Sequence, residues 1–141
     1  MSTWRARALE MFPDMRSQIQ SAESVGYFWV DLIWRLKANY AQDEPKEPPS
    51  VVRAICLYAV WCAGSESQAT REAACIEFYE YLPKFALECP ATGYKRLIRD
   101  VLANFGLAEI EQMGVSLDAA DLKRFLADAR QAEEERRRSR G

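Results

Sequence analysis

The stretch that decides the fold is VVRAICLYAVWCA, residues 51–63. Arg53 is its only charged residue, so a helix formed here would be apolar around most of its circumference. Such a helix belongs at the centre of a protein, and it is shorter than the roughly 20 residues needed to cross a bilayer. The sequence therefore predicts a bundle arranged around this segment.

Helical periodicity continues on both sides of this segment. Residues 25–40 carry apolar side chains at spacings of three and four, and Asp31 and Arg35 are spaced for an ion pair within that helix. Downstream, Ser65 and Gln68 match the capping box that opens a helix. Residues 25–40 are thus predicted to form a helix that is apolar around most of its circumference, and the segment that begins at Ser65 is predicted to form an amphipathic helix.

The same periodicity recurs toward the C-terminus, where Arg96 lies opposite the apolar stripe of its helix. No strand or hairpin pattern occurs in the sequence. We predict an all-α fold, an irregular single-domain bundle of six to seven helices around the central apolar helix 51–63. The domain should cover residues 1–132, and residues 133–141, which contain no apolar side chain, should form a charged, frayed tail.

Cysteine and histidine usage argues against a metal site. The chain has no histidine, and its four cysteines form no closely spaced pair. Cys56, Cys62 and Cys75 lie within apolar helical sequence and are predicted to be buried thiols in a reducing compartment. We expect no metal and no cofactor.

Charge and hydropathy narrow the classes of partner. The net charge is −2, and residues 41–88 contain eight acidic against four basic side chains. An acidic body disfavours nucleic acid, because phosphate contacts require a positive surface; only the tail, with Arg136, Arg137, Arg138 and Arg140, is basic. No apolar run indicates a membrane span or a secretory signal, so we expect a cytoplasmic protein without a membrane partner.

Catalytic patterns are missing from the sequence. Without histidine the commonest general base is absent, and no glycine-rich phosphate loop occurs. Glu72, Glu77 and Glu80 could supply a carboxylate pair, but glutamates at this spacing are typical of solvated helix faces. We therefore predict no catalytic residue and a protein that is not an enzyme.

Two aromatic side chains, Tyr27 and Trp34, fall outside the main apolar stripe of helix 25–40. Exposed Tyr and Trp often mark a protein interface. The alternative is that this helix is enclosed on most sides and that both rings pack in the core. The predicted partner-binding residues are Tyr27, Trp34, Glu72, Glu77 and Glu80.

The segment YAVWCAGSESQATREAACIEFYEYLP, residues 58–83, resembles part of a group of small helical bacterial proteins without known activity. Some members of such groups are similar to immunity proteins encoded beside toxins. The likeness covers residues 25–105 and rests on helix order and aromatic placement. It implies an inhibitor-type protein and carries over no functional residue.

Together these observations predict a non-catalytic protein that binds a basic protein partner. More specifically, they predict an immunity protein that neutralises a bacterial toxin by occlusion. An acidic surface would steer such a partner toward the chain. A self-associating structural or adaptor module, forming a homo-oligomer, is the alternative. A carboxylate-dependent enzyme is the second alternative.

Overall fold

A computed structural model describes residues 3–140, without the side chains of residues 107, 116 and 140. Nine α-helices follow one another within this range, and no strand occurs in it, which confirms the predicted all-α bundle. The helices are α1 (Thr3–Met11), α2 (Arg16–Ser21), α3 (Val25–Tyr40), α4 (Pro49–Ala63), α5 (Gln68–Ala74), α6 (Tyr81–Glu88), α7 (Ala91–Leu102), α8 (Leu107–Met113) and α9 (Ala119–Arg140).

The helices are more numerous than the six or seven predicted, because the helical stretch at the N-terminus is divided at Pro13 and a π-helix interrupts the one that follows Gly64. Pro13 starts a 3₁₀ turn (Pro13–Met15) between α1 and α2, since proline fits the first turn of a helix but not its interior. A π-helix (Cys75–Tyr79) joins α5 to α6. A further 3₁₀ turn (Gly114–Ser116) precedes α9.

Interlocking aromatic rings form the centre of the core. The ring of Tyr58 on α4 lies 5.6 Å from that of Phe12 and 5.5 Å from that of Trp29. Trp29 in turn lies 5.4 Å from Phe78 of the π-helix. These separations are typical of favourable aromatic pairs. The core therefore joins the N-terminal helices, α3, α4 and the π-helix.

The helix predicted to be central is α4. One face of α4 packs in the core, but other helices do not cover it on all sides. α4 packs against α1, α5 and α7, and its buried face includes Ile55, Cys56 and Tyr58. Its opposite face carries Leu57 and Val60, which remain exposed. An apolar helix at the edge of a small bundle has too few neighbours to cover its whole circumference.

Local capping differs from the prediction at α5. Ser67, and not Ser65, caps the helix: its side chain accepts a hydrogen bond from the backbone N–H of Thr70. The hydroxyl of Ser65 instead accepts from the N–H of Ser67. The predicted capping box of Ser65 and Gln68 was therefore wrong, and the cap lies two residues later, at Ser67. The segment offers two serines near this helix end, and either could act as its cap.

Arg96 is buried although the sequence placed it on the polar face of α7; only 9% of it is exposed. Its guanidinium donates to the backbone carbonyls of Asn39, at 3.1 Å, and Gln42, and lies 5.1 Å from the centre of the Tyr40 ring. The carbonyls at a helix C-terminus lack intrahelical donors and carry partial negative charge. Arg96 therefore caps the end of α3 from a helix far along the chain.

Asn39 organises the loop that leaves α3. Its side-chain carbonyl accepts hydrogen bonds from the backbone N–H groups of Lys46, at 2.7 Å, and Glu47, at 2.9 Å. The loop 41–48 thereby folds back onto the helix end that Arg96 caps. These bonds satisfy polar groups that would otherwise be buried without partners.

The charged C-terminal segment continues α9 as far as Arg140. Glu133 pairs with Arg137 at 2.8 Å, and Arg136 donates to the carbonyl of Ala103 at 2.9 Å. Fraying of residues 133–140 in solution stays a prediction, and residues 1–2 and 141 lie outside the described residues.

Gly93 lets α7 cross the end of α3 closely, and substitution should show this. A Cβ on residue 93 would overlap the backbone oxygen of Tyr40 and lie 3.2 Å from its carbonyl carbon. Because backbone cannot move aside easily, we expect Gly93→Ala to lower the free energy of unfolding by about 2 kcal/mol or more. Urea denaturation measures the change.

Gly26→Ala is the matched control for this prediction. Its Cβ would meet nothing closer than the Ser24 hydroxyl, at 3.6 Å, within α3. Alanine is the better helix former, so this variant should be unchanged or more stable by up to about 1 kcal/mol. Equal destabilisation by both substitutions would contradict the close crossing at Gly93.

Candidate partner-binding surface

An exposed apolar stripe runs along α3, formed by Tyr27, Val30 and Trp34. Spacings of three and four place these side chains on one helix face. Tyr27 is 61% exposed, Val30 38% and Trp34 64%. Every other Trp, Tyr and Phe side chain in residues 3–140 is buried or half-buried. The structure therefore leaves in solvent the two rings that the sequence singled out, and helix 25–40 is not enclosed.

A network of ion pairs borders this stripe on one side. Arg35 lies 2.8 Å from a carboxylate oxygen of Asp14 and 2.9 Å from one of Glu47. Hydrogen bonding to Glu47 is the main cause that raises the pKa of Arg35, and Asp14 adds to it. The predicted pair of Arg35 with Asp31 is wrong, because the 41–48 loop and the 3₁₀ turn bring closer carboxylates to this guanidinium.

Lys37 borders the stripe on the other side. Its ammonium lies 5.2 Å from the centre of the Trp34 ring and 4.8 Å from that of Tyr81, and it donates to the Tyr81 hydroxyl. Such cation–π contacts hold both rings in place. Beside them, Trp34 and Phe85 line an apolar groove of about 310 Å³.

The acidic candidates lie on α5 and in the segment that follows it. Glu72 and Glu80 are exposed and Glu77 is half-buried, and Ile76 among them is 56% exposed. Glu72 accepts a hydrogen bond from Gln68 at 2.7 Å. No basic group of the described residues lies within 4 Å of these three carboxylates.

Lys37 and Tyr81 connect the two groups of candidates. Tyr81 contacts Lys37 beside Trp34, and it follows Glu77 by four residues at the start of α6. α3 also packs directly against α5 and the π-helix. We name the stripe of Tyr27, Val30 and Trp34 together with Glu72, Glu77 and Glu80 the candidate surface.

The sequence missed a pocket of about 370 Å³ between the π-helix and α8. We name it the α8 pocket; it is lined by Ala63, Cys75, Tyr79, Glu80, Glu109, Gln112 and Met113. Cys75 is exposed at this pocket, so its predicted burial was wrong. The wider π turn rotates successive side chains differently from an α-helix, so Cys75 leaves the stripe expected from α-helical spacing.

The burial predicted for Cys56 and Cys62 is confirmed. Cys56 and Cys62 are buried, and burial raises the pKa of the Cys56 thiol to about 12 and that of Cys62 to about 11. Cys89 is half-buried at the end of α6, where its thiol donates to the carbonyl of Phe85.

The described residues contain no cluster of candidate metal ligands. Within residues 3–140 no three acidic or cysteine side chains come together as metal ligands. The α8 pocket contains Glu80 and Glu109, yet neither carboxylate is hydrogen-bonded to a nucleophilic side chain of the described residues. The absence of metals, cofactors and catalysis stays a prediction.

Comparison of the chain with models of protein families, with characterised proteins and with solved structures gave no match. Within the described residues, no helix combines the length and the apolar character that crossing a bilayer requires.

Thiol labelling should distinguish the four cysteines at pH 8. The raised pKa values of Cys56 and Cys62 keep both thiols protonated at that pH, and burial excludes the reagent. We expect one fast reaction at Cys75, a slower one at Cys89, and reaction of the buried pair only after unfolding. An absorbance assay with an aromatic disulfide reagent measures the phases.

Cys75→Ser is the control variant for this labelling experiment. It should remove the fast phase and leave the slower ones unchanged. Fast reaction of Cys56 or Cys62 in the folded protein would contradict the structure, because it would show that the reagent reaches thiols that the structure buries.

Proposed function

We propose that this chain is a non-catalytic protein that binds a basic protein partner through the candidate surface. The observation that carries the proposal is the exposure of Tyr27 and Trp34 on one face of α3. Burying such rings against a partner is favourable, and Tyr and Trp are enriched among the residues that contribute most to binding. We expect the chain to bind the partner stoichiometrically and to occlude the partner's functional site.

The unpaired carboxylates favour a basic partner over a second copy of the chain. Glu72, Glu77 and Glu80 have no basic neighbour within 4 Å among the described residues, whereas a basic protein would compensate all three. A second copy would add its own acidic surface, since the chain carries a net charge of −2. Opposite charge speeds association and suppresses wrong partners.

The exposed stripe alone is too small for a stable interface. A Tyr or Trp side chain buries about 150–250 Å² when covered, so the stripe offers roughly 300–400 Å². A standard interface covers about 800 Å² on each partner. The partner must therefore extend beyond α3, and the acidic residues on α5 and the π-helix are the adjoining part of the candidate surface.

An immunity protein that neutralises a bacterial toxin is the specific form that we propose. It is supported by the resemblance of residues 25–105 to small helical bacterial proteins and by the acidic segment on the surface. Self-association through α3 is the second candidate, favoured by the same exposed rings. Light scattering over a concentration series separates the two, because a strict monomer at high concentration excludes self-association.

The aromatic stripe is tested by affinity capture from native cells with the tagged chain. We expect one stoichiometric basic partner that Tyr27→Ala/Trp34→Ala no longer retains. Loss of both rings should weaken binding at least about thirtyfold, since each ring of this kind contributes about 1–2 kcal/mol. Mass spectrometry identifies the partner, and titration calorimetry measures the affinity.

Leu57→Ala/Val60→Ala is the matched control, because it removes two exposed apolar side chains from α4. It should retain the partner with unchanged affinity. Equal retention by the Tyr27→Ala/Trp34→Ala variant, folded as judged by circular dichroism, would exclude the stripe from the interface.

The acidic part of the candidate surface is tested by association kinetics. Glu77→Lys/Glu80→Lys should slow association with the captured partner about tenfold at low salt and flatten its dependence on ionic strength. Stopped-flow measurement of the tryptophan fluorescence of the chain reports the rates. Glu134→Lys/Glu135→Lys makes the same change in net charge on the exposed side of α9, and should have a clearly smaller effect. If the two variants have equal effects, Glu77 and Glu80 act only through the net charge of the chain, and they are not a specific part of the interface.

A further inference from the structure

The α8 pocket combines an apolar wall with an open, acidic rim. Met113 is buried in that wall, and Ala63 and the half-buried ring of Tyr79 complete it. Glu80 from the turn after the π-helix and Glu109 from α8 are exposed at the rim. A ligand that fills the pocket therefore contacts apolar surface along its length and carboxylates at its polar end.

The charge of this pocket is not compensated by the described residues. No Lys or Arg lines it, and no basic group of the described residues lies within 4 Å of Glu80 or Glu109. Burial raises the pKa of Tyr79, and the negative charge of Glu109 raises it further, which places that carboxylate near the phenol. The pocket thus offers two unpaired carboxylates, a phenol and the amide of Gln112 to a cation.

Among cationic groups in proteins, arginine matches this arrangement best. Its stem packs on apolar surface while its charged head stays at the rim. The planar guanidinium has five donors that can engage two carboxylates, and it stacks on aromatic rings such as that of Tyr79. Lysine has a compact, strongly hydrated charge and gains less from such a rim.

We propose that the α8 pocket is a binding site for an arginine side chain, presented by the basic protein partner. The identity of the presenting molecule rests on the proposed function, whereas the preference of the pocket for a guanidinium does not. Glu80 belongs to both the candidate surface and the α8 pocket. An arginine bound in the pocket would therefore extend the contact from the candidate surface to α8.

The test uses the full chain and a small probe, arginine capped as its N-acetyl methylamide. Titration followed by ¹⁵N NMR should give saturable shifts at the amides of Cys75, Tyr79, Glu80, Glu109 and Gln112. We expect a dissociation constant on the order of 1 mM, as ligand efficiency allows for a probe of this size. Capped citrulline, which has the same shape without the charge, should shift these amides far less.

Glu80→Gln/Glu109→Gln removes both charges and nearly preserves the side-chain volumes. It should weaken binding of capped arginine about fivefold, the effect of losing two solvent-accessible ion pairs. Glu134→Gln/Glu135→Gln on α9 is the matched control and should bind as the parent chain does. Shifts that are equal for capped citrulline, lie elsewhere, or survive unchanged in the Glu80→Gln/Glu109→Gln variant would overturn the proposal.

The outcomes separate this inference from the proposed function. Absence of binding by capped arginine overturns the pocket site, while capture of a partner that depends on Tyr27 and Trp34 would still stand. Localised binding of capped arginine without any captured partner supports the pocket site and overturns the wider interface.

Discussion

α7 crosses the C-terminal end of α3 at very close range. Gly93 has no side chain, so the backbone of α7 can lie directly against the carbonyl of Tyr40. One turn later, Arg96 reaches the carbonyls of Asn39 and Gln42. A buried cation is costly unless it is hydrogen-bonded. Here the partial negative charge at the C-terminus of α3 offsets part of that cost, and the Tyr40 ring adds a cation–π contact.

This crossing also orders the candidate surface. Arg96 of α7 caps the end of α3, and the loop that follows α3 turns back. The side chain of Asn39 accepts hydrogen bonds from the backbone N–H groups of Lys46 and Glu47 in this loop. Glu47 is thereby brought to Arg35, which also pairs with Asp14. The ion pairs fix one border of the exposed stripe on α3. The rings of Tyr27 and Trp34 are thus presented by a helix that is restrained at its end and along its flank, which lowers the entropy that binding would cost.

The π-helix determines which side chains are exposed around Glu77, Glu80 and the α8 pocket. Its wider turn keeps Phe78 in the core, where it contacts Trp29, while Cys75 and Ile76 are directed outward. A regular α-helix through the same residues would present a different set of side chains to α8. π-helical turns are uncommon and occur frequently at functional sites. The positions of Glu77 and Glu80 and the shape of the α8 pocket therefore depend on one local departure from α-helical geometry.

The amino-acid sequence alone established the all-α class. It also singled out Tyr27 and Trp34 as aromatic side chains outside the main apolar stripe of α3, and left open whether they are exposed. These features follow from the period of the α-helix, which is a local property. Only the tertiary structure decided the burial of Arg96, the partners of Arg35 and the exposure of Cys75. Arg96 meets a carbonyl 57 residues away in the chain, and Arg35 meets Glu47 across a loop. Such contacts depend on where separate helices cross, and helical periodicity carries no information about those crossings.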